Sequence, residues 1–280
     1  MSPKPFVCNE SICVVTGGAS GIGKALCIEL ARLGAKTIVV VDLNFNAAQK
    51  VVHDNLLSFG VNAIAMKANC GVESDMRRVI YTVEIEYGPI HAFFCNAGIL
   101  SVGSVVDTPN DEWDSLWKIN VMQSVYVAKY LMPLYEKRGR GAICITASAA
   151  GLLSFPGAVS YAVTKNAAIS LAEWLSLTYG SKGILVSCLC PQAVNTPMIG
   201  DSDAGPAGLD GIIEADEVAR ITIDEMQKGK FLITPHKKVV NYFRSKGSDY
   251  ELWLKKMRKL NTIVEETYKF SPPTIPTSRL

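Results

Sequence analysis

Nearly continuous apolar runs recur along this chain, and segments of helix length separate them. The runs occupy residues 12–15, 37–41, 63–66, 92–94, 142–145, 185–189 and 231–233. A strand buried on both faces shows such a run, whereas a strand with one wet face alternates apolar and polar residues. Runs that alternate with helices are typical of a parallel sheet covered by helices. The pattern therefore predicts an α/β fold built on a doubly wound parallel sheet.

A single domain with a C-terminal helical extension accounts best for the 280 residues. Length alone favours about two domains, but no internal repeat and no Ser/Gly-rich linker precedes Pro272. We predict a sheet domain over residues 1–240, a helical extension over residues 241–270 and an extended, proline-rich tail over residues 271–280.

The extension has a capping-box pattern at Ser248 and Glu251, followed by apolar residues at helical spacing. Its basic residues form the predicted solvated face, with binding of an acidic partner as the alternative: Lys255, Lys256, Arg258 and Lys259.

Composition narrows the class of function. Hydrophobic residues make up 49% and charged residues 19%, which excludes disorder along most of the chain. The formal charge of +2 lacks the excess of a general nucleic-acid binder. Eight cysteines and three histidines show no zinc spacing, so we expect no metal site and reduced, intracellular thiols. Residues 141–164 carry no charge, but serines, glycines and Pro156 interrupt them, so we expect no membrane span.

A glycine-rich turn follows the first apolar run and precedes an amphipathic helix. It departs from the common G-x-G-x-x-G pattern and reads Thr16-Gly17-Gly18-Ala19-Ser20-Gly21-Ile22-Gly23. The chemistry is the same, because glycines allow tight turns and the helix N-terminus presents free N–H groups to a pyrophosphate. The turn predicts a dinucleotide site in a Rossmann-type fold.

Asp42 ends the second run, 19 positions after Gly23. A carboxylate about 20 residues beyond the turn accepts hydrogen bonds from adenosine ribose hydroxyls and repels a 2′-phosphate. No Arg or Lys adjoins it, since Leu43 and Asn44 follow. The cofactor is therefore predicted to be NAD and not NADP, with an ordinary turn-forming aspartate as the alternative.

Tyr161 and Lys165 stand four residues apart, so a helix would project both from one face. A neighbouring ammonium and an oxidised nicotinamide ring would stabilise the phenolate and bring its pKa toward operating pH. Ser148 lies 13 positions before Tyr161, after an apolar run.

The helix from Tyr161 to Tyr179 has only two charged residues. Subunit packing and burial under the C-terminal extension are both open explanations.

With these residues in place, the sequence resembles the short-chain dehydrogenase/reductase family over about residues 10–200. The matching motifs occur in the family's order: the turn at residues 16–23, Cys95-Asn96-Ala97-Gly98, Asn120, Ser148 and Tyr161-x-x-x-Lys165.

The resemblance implies a catalytic set and a cofactor site. Tyr161 would be the general acid/base, Lys165 would lower its pKa and hold the nicotinamide ribose, and Ser148 would polarise the substrate oxygen. Asn120 would support a proton-relay water. Asn96 would stabilise the central strands, and Gly98 would allow close approach of the cofactor. Val194 and Thr196 would contact its carboxamide. The remaining cofactor contacts would come from Gly17, Ser20, Gly21, Ile22, Gly23, Asp42 and Asn69.

Three positions depart from the family pattern. Asn69 stands where an aspartate usually contacts adenine, Cys95 replaces an asparagine, and Gln192 follows Pro191 where glycine is usual. None of these changes removes a catalytic group. The polar loop at residues 200–211 is predicted to form a lid.

The C-terminal tripeptide Ser278-Arg279-Leu280 resembles the peroxisomal Ser-Lys-Leu address, which an import receptor reads. We therefore expect a peroxisomal location, with the cytoplasm as the alternative.

These features predict an NAD-dependent oxidoreductase for a secondary alcohol or ketone, acting as a homodimer or homotetramer. Its substrate would be a moderately large apolar or lipid-derived molecule. Leu153, Phe155 and Met198 would line the pocket. The alternative is an NAD-binding sensor or scaffold without turnover.

Overall fold

The predicted runs form the strands of one sheet in the computed structural model, which describes residues 3–200 and 204–268. The first half of the chain contains β1 (Ile12–Thr16), α1 (Gly21–Arg32), β2 (Thr37–Asp42), α2 (Phe45–Val51), β3 (Asn62–Lys67), α3 (Glu73–Glu86) and β4 (Ala92–Cys95). A π-helical turn (Val52–Leu56) and a 3₁₀ turn (Leu57–Phe59) extend α2.

The second half continues the alternation and adds two C-terminal helices. Its elements are α4 (Asn110–Trp117), a π-helical turn (Lys118–Met122), α5 (Gln123–Arg138), β5 (Gly141–Thr146), α6 (Ala149–Leu153), α7 (Val159–Tyr179), a 3₁₀ turn (Gly180–Lys182), β6 (Ile184–Leu189), β7 (Val194–Asn195), a 3₁₀ turn (Gly205–Asp210), β8 (Ile213–Glu214), α8 (Ala215–Gln227), β9 (Leu232–Ile233), α9 (Lys238–Ser248) and α10 (Tyr250–Tyr268).

Seven strands pair in parallel in the order β3-β2-β1-β4-β5-β6-β9. The order reverses between β1 and β4, where Val14 pairs with both Val39 and Phe93. In doubly wound sheets, ligands bind outside the carboxyl ends of the strands at this reversal. The predicted Rossmann-type α/β fold is confirmed.

The core lies on both faces of the sheet, as the continuous runs require. Val14, Val39 and Phe93 belong to one buried cluster, while their chain neighbours such as Val40 and Phe94 belong to the other. This division follows from the alternation of side chains along a strand. Two covered faces give a rigid platform for groups at the strand ends.

The C-terminal helices pack onto this domain. Val239 of α9 and Trp253 of α10 join one of the two buried clusters, and the Lys246 ammonium donates to the Leu152 carbonyl oxygen at 2.7 Å. The predicted capping box is wrong, because Ser248 is the last residue of α9. Asp249 caps α10 instead, accepting the Leu252 N–H at 2.9 Å.

The outer face of α7 is not covered by the extension. Leu177 is 83% exposed and Trp174 is 57% exposed, although Ala168 and Ala172 on the inner face are fully buried. Of the two explanations for this charge-poor helix, burial under the C-terminal helices is wrong for these two side chains.

No helix within residues 3–200 and 204–268 has both the length and the hydropathy to cross a bilayer. In the same ranges, no group of three or more potential metal ligands comes together.

Candidate active site

A cavity of about 1120 Å³ opens at the carboxyl ends of the strands. It begins at the glycine-rich turn and Asp42, passes the loops after β4 and β5, and ends against α9 and α10. Most of the predicted site residues line it: Gly17, Ser20, Gly21, Ile22, Asp42, Asn69, Asn96, Gly98, Ser148, Tyr161, Lys165, Val194 and Thr196.

Three glycines of the turn have no room for a side chain. Gly17 has a φ of +62°, and a Cβ there would lie 2.9 Å from the Ala97 Cα. Gly21 has a φ of +49°, and its Cβ would lie 3.0 Å from Thr196 Cγ2. A Cβ on Gly23 would overlap the Gly17 carbonyl oxygen, so α1 can pack this close to the turn only with glycine.

The first turn of α1 faces the cavity. Ser20 is the N-cap residue of this helix, and its side chain makes no capping hydrogen bond. Ser20, Gly21 and Ile22 all line the cavity. N–H groups at a helix N-terminus bind phosphate through hydrogen bonds and the helix dipole. The turn therefore fits a pyrophosphate.

The Asp42 carboxylate joins β2 to this turn. It accepts the Ala19 N–H at 3.1 Å and the Asn44 N–H at 2.9 Å. An ionised carboxylate has about four acceptor positions, so it can still accept from two vicinal hydroxyl groups. Among the described residues, the only lysines or arginines that line the cavity are Lys165 and Lys256, neither of which adjoins the turn in sequence. This end of the cavity fits an unphosphorylated ribose.

Asn69 lines the same end of the cavity, and its side-chain oxygen already has a hydrogen-bond partner. Its Oδ1 accepts the Gly71 N–H at 3.0 Å, and its own N–H donates to Asp75 at 2.8 Å. These bonds leave the amide NH₂ as the donor for a ligand. A contact with adenine stays a prediction.

Asn96 ties together three central strands. Its Nδ2 donates to the Thr16 carbonyl oxygen at 3.1 Å, and its Oδ1 accepts from the Thr146 hydroxyl at 3.3 Å. Asn96 follows β4, while these partners end β1 and β5. The geometry agrees with the strand-stabilising role that the family resemblance implies.

Asn120 lies in the π-helical turn and does not line the cavity. Its Oδ1 accepts the Ile99 N–H at 2.9 Å, and its Nδ2 donates to the Ile99 carbonyl oxygen at 3.0 Å and to the Thr164 hydroxyl at 3.1 Å. Asn120 therefore connects the loop after β4 to α7. A Cβ on Gly98 would lie 3.2 Å from Lys165 Nζ and 3.3 Å from Asn120 Oδ1, so glycine keeps these groups close. The relay role of Asn120 stays a prediction.

Ser148, Tyr161 and Lys165 all line the cavity. Ser148 is the N-cap of α6 and its hydroxyl lies 3.4 Å from the Pro191 carbonyl oxygen. Lys165 Nζ donates to the Thr146 carbonyl oxygen at 2.9 Å and lies 5.6 Å from the centre of the Tyr161 ring. One helix face and one strand end therefore hold a hydroxyl, a phenol and an amine together.

Burial favours the neutral forms of both titrating groups. It raises the pKa of Tyr161, and hydrogen bonding with the Ser148 hydroxyl lowers that pKa by a smaller amount. Burial lowers the pKa of Lys165 to about 8, although the nearby Cys190 and Cys188 thiols oppose this. In this structure, then, Lys165 does not bring the tyrosine pKa toward neutrality. Lowering of the tyrosine pKa stays a prediction for the site with cofactor bound.

The loop after β6 positions Val194 and Thr196, and His236 holds it. The Gln192 N–H donates to His236 Nδ1 at 3.1 Å, and Nε2 of the same ring lies 3.0 Å from the Ala193 carbonyl oxygen. The ring is therefore the neutral tautomer with the proton on Nε2. Burial lowers the pKa of His236, which preserves this form. Sequence reasoning missed His236; its place directly after the last apolar run was the available signal.

A buried carboxylate also escaped prediction. Asp210 ends the 3₁₀ turn, and its Oδ1 accepts from Lys238 at 2.9 Å and from the Tyr242 hydroxyl at 3.1 Å. Burial raises the pKa of Asp210, but hydrogen bonds from Lys238, Gln192 and Tyr242 bring the net pKa below its usual value. The cluster joins the 3₁₀ turn at Gly205–Asp210, which is part of the predicted lid, to α9. Residues 201–203 of that lid lie outside the described residues.

Comparison with known proteins agrees with this site. The family model for short chain dehydrogenases matches residues 11–206. The chain belongs to this family. Among curated short-chain dehydrogenases and related enzymes, it is 32% identical over 240 residues to the cyclohexanol dehydrogenase of Acinetobacter sp. (strain SE19), covering 83% of this chain and 94% of that protein.

Solved structures of short-chain dehydrogenases show the same fold. The crystal structure of a family member from Burkholderia phymatum in complex with NAD superposes with a TM-score of 0.81 and 25% identity, covering 88% of this chain and 96% of that chain. A short-chain dehydrogenase from Sphingobium yanoikuyae in complex with NADPH gives a TM-score of 0.74 at 21% identity, with 96% and 100% coverage. The chain is thus an oxidoreductase of the short-chain dehydrogenase family with a nicotinamide-cofactor fold.

Proposed function

We propose that the protein is an NAD-dependent dehydrogenase that interconverts a secondary alcohol and its ketone. The observation that carries this proposal is the meeting of Ser148, Tyr161 and Lys165 in one cavity with a dinucleotide turn. A surface cluster of the same side chains would have no enclosed place for a substrate, whereas these groups are buried or half-buried.

The proton is moved by the chain's own groups. For oxidation, the Tyr161 phenolate accepts the proton of the substrate hydroxyl; for reduction, the phenol returns it to the carbonyl oxygen. The Ser148 hydroxyl hydrogen-bonds to the same substrate oxygen and stabilises charge on it. The Lys165 ammonium would bind the nicotinamide ribose, and the bound nicotinamide supplies the hydride acceptor or donor.

Asp42 supports NAD in preference to NADP. A phosphate on the adenosine ribose would meet this carboxylate, and Lys67, its neighbour on β3, does not line the cavity. The solved relatives named above were determined with NAD and with NADPH, so the fold accommodates either cofactor. For this chain, the preference for NAD over NADP is argued from Asp42 at the end of β2.

The substrate half of the cavity supports a moderately large apolar molecule. Leu153, Phe155 and Met198 line it, and Leu209 adds a further apolar side chain from the 3₁₀ turn. A relative that oxidises cyclohexanol by name agrees with a secondary alcohol.

The test is the absorbance of the reduced nicotinamide. Purified protein is mixed with NAD or NADP and with cyclohexanol, aliphatic secondary alcohols and hydroxysteroids. We expect turnover with NAD and at least one of these classes, and a kcat/KM for NAD well above that for NADP. NAD binding by calorimetry without turnover on any class would favour the sensor hypothesis instead, and a preference for NADP would refute the cofactor assignment.

We also propose a homo-oligomer and a peroxisomal location. The exposed apolar face of α7, with Trp174 and Leu177, supports the oligomer. Sedimentation should show a dimer or tetramer that Trp174→Glu converts to monomer.

The tripeptide Ser278-Arg279-Leu280 lies outside the described residues. A fluorescent protein fused to the N-terminus should enter peroxisomes only when this tripeptide is present.

A further inference from the structure

One face of α10 forms a wall of the substrate half of the cavity. Trp253, Met257, Leu260 and Val264 line the cavity, and their spacing of four, three and four residues puts them on one helix face. At 1.5 Å per residue this wall is ~16 Å long. It adds a long apolar surface to the cavity that Ser148, Tyr161 and Lys165 also line.

The wall is firmly attached to the domain. Trp253 is 8% exposed and Val264 is 4% exposed, so both contribute to packing as well as to the lining. The helix before it is fixed by the Lys246 bond to Leu152 and by the Asp210 cluster. A substrate can therefore meet α10 as a preformed surface.

The charges in this half of the cavity are unequal. Asp210 is compensated by Lys238, and Lys165 is engaged with the Thr146 carbonyl oxygen beside Tyr161. Lys256 lines the cavity on the α10 face. None of the ion pairs among the described residues involves it. The long apolar wall thus carries one uncompensated charge, and that charge is positive.

The other basic residues of α10 differ from Lys256 in position. All four basic residues of the predicted solvated face, Lys256 included, are exposed. Lys255, Arg258 and Lys259 do not line the cavity, whereas Lys256 does. The chain therefore supplies a matched control, because Lys255 is the same residue type on the same helix turn.

We propose that Lys256 determines substrate specificity by binding an anionic group at the far end of an elongated apolar alcohol or ketone. The proposal rests on the proposed dehydrogenase function. The apolar body lies along Trp253, Met257, Leu260 and Val264, and the anion is a carboxylate or phosphate. Lys256 is exposed, so it lies where the apolar cavity meets solvent. Its ammonium can pair there with a charged terminus that the apolar lining cannot accept, because burying an unpaired charge is strongly unfavourable.

The experiment uses matched pairs that share one reacting end, CH₃–CH(OH)–. Each 2-alkanol is compared with the hydroxy acid of equal chain length that has a carboxylate in place of the far methyl group, from four to sixteen carbons. With wild type and NAD, we expect the acid to be preferred in kcat/KM about threefold to fivefold, as for an ion pair at an exposed lysine. The preference should appear only above the chain length that reaches Lys256.

Variants then assign the effect. Lys256→Met should raise KM for the long acid about threefold to fivefold, leave kcat nearly unchanged, and leave both constants for the alcohol unchanged. Lys256→Glu should make the alcohol the better substrate. Lys255→Met should behave as wild type. The split between KM and kcat separates anion binding from a general loss of structure, which would lower turnover of the alcohol too.

Failure of this inference and failure of the proposed function give different results. Turnover of 2-alkanols without preference for the acid, or an equal loss of preference in Lys255→Met, overturns the role of Lys256 alone. No NAD-dependent turnover of any alcohol or acid overturns the dehydrogenase function and the inference with it.

Discussion

Replacing Lys165 by methionine should make the protein more stable at neutral pH while destroying its activity. Lys165 is 3% exposed, and burial lowers its pKa from 10.5 to about 8. Each pKa unit corresponds to about 1.4 kcal/mol, so holding the charged form in the folded chain costs about 3 kcal/mol. Methionine has similar length and no charge, but the bond to the Thr146 carbonyl oxygen is lost, at about 1 kcal/mol. The net gain should be about 2 kcal/mol.

The stability gained by Lys165→Met depends on pH, and the lowered pKa of Lys165 determines the direction of that dependence. Below pH 8 the lysine is protonated in both the folded and the unfolded chain, so the folded wild type carries the full cost. Between pH 8 and 10.5 only the unfolded chain keeps the proton, and the stability of the wild type rises with pH. The advantage of Lys165→Met should therefore shrink to near zero by about pH 10.

The assay is urea unfolding at pH 7 and pH 10, without cofactor, followed by the fluorescence of the four tryptophans. Lys255→Met is the control, since substitution of an exposed lysine should change the free energy of unfolding by less than about 0.5 kcal/mol. Equal stability of wild type and Lys165→Met at pH 7 would refute the reasoning. A difference that persists unchanged at pH 10 would show that it does not come from the buried charge.

Three further predictions concern the site. Tyr161→Phe should keep NAD affinity, measured by calorimetry, and lower kcat by about a thousandfold; wild-type turnover would remove Tyr161 from the mechanism. Asp42→Ala should raise the ratio of kcat/KM for NADP to that for NAD by about tenfold or more, and an unchanged ratio would contradict the ribose assignment. Because burial lowers the pKa of His236, stability should fall with pH below about 6.5, where the unfolded chain takes up a proton that the folded chain resists. His236→Gln should reduce that fall in urea titrations, and an identical fall would exclude His236 as its source.

The fold and the nucleotide half of the site could be predicted because their signals are local. A strand buried on both faces must be apolar throughout, so the runs at β1 and β4 were visible without knowledge of their neighbours. The position of Asp42 beside the turn could be predicted from its distance to Gly23 along the chain. β1 and β2 are neighbouring parallel strands, so the turn after β1 and the end of β2 lie at the same edge of the sheet. The hydrogen bond from the Ala19 N–H to the Asp42 carboxylate shows this closeness.

In the substrate half, Leu153, Phe155 and Met198 line the cavity as predicted. The rest of that half could not be predicted, because its contacts join distant segments. Nothing near Lys256 in the sequence shows that it reaches the cavity while Lys255 does not; that depends on how α10 meets the 3₁₀ turn at Gly205–Asp210. The ring of His236 acts on Gln192, 44 positions earlier. Burial of Lys165, which sets its pKa, depends on the packing of α7 and was equally invisible.

The inner face of α7 explains how a lysine can be buried at a strand end. Ser160, Thr164, Ala168 and Ala172 recur every four residues on this face, and all are buried. Small side chains at this spacing allow the helix to lie close to the sheet, so the long side chain of Lys165 reaches the Thr146 carbonyl oxygen. The same closeness removes water from both groups, which raises the pKa of Tyr161 and lowers that of Lys165 to about 8. At neutral pH the site therefore holds an ammonium beside a neutral phenol, and the positive charge of an oxidised nicotinamide ring would favour formation of the phenolate.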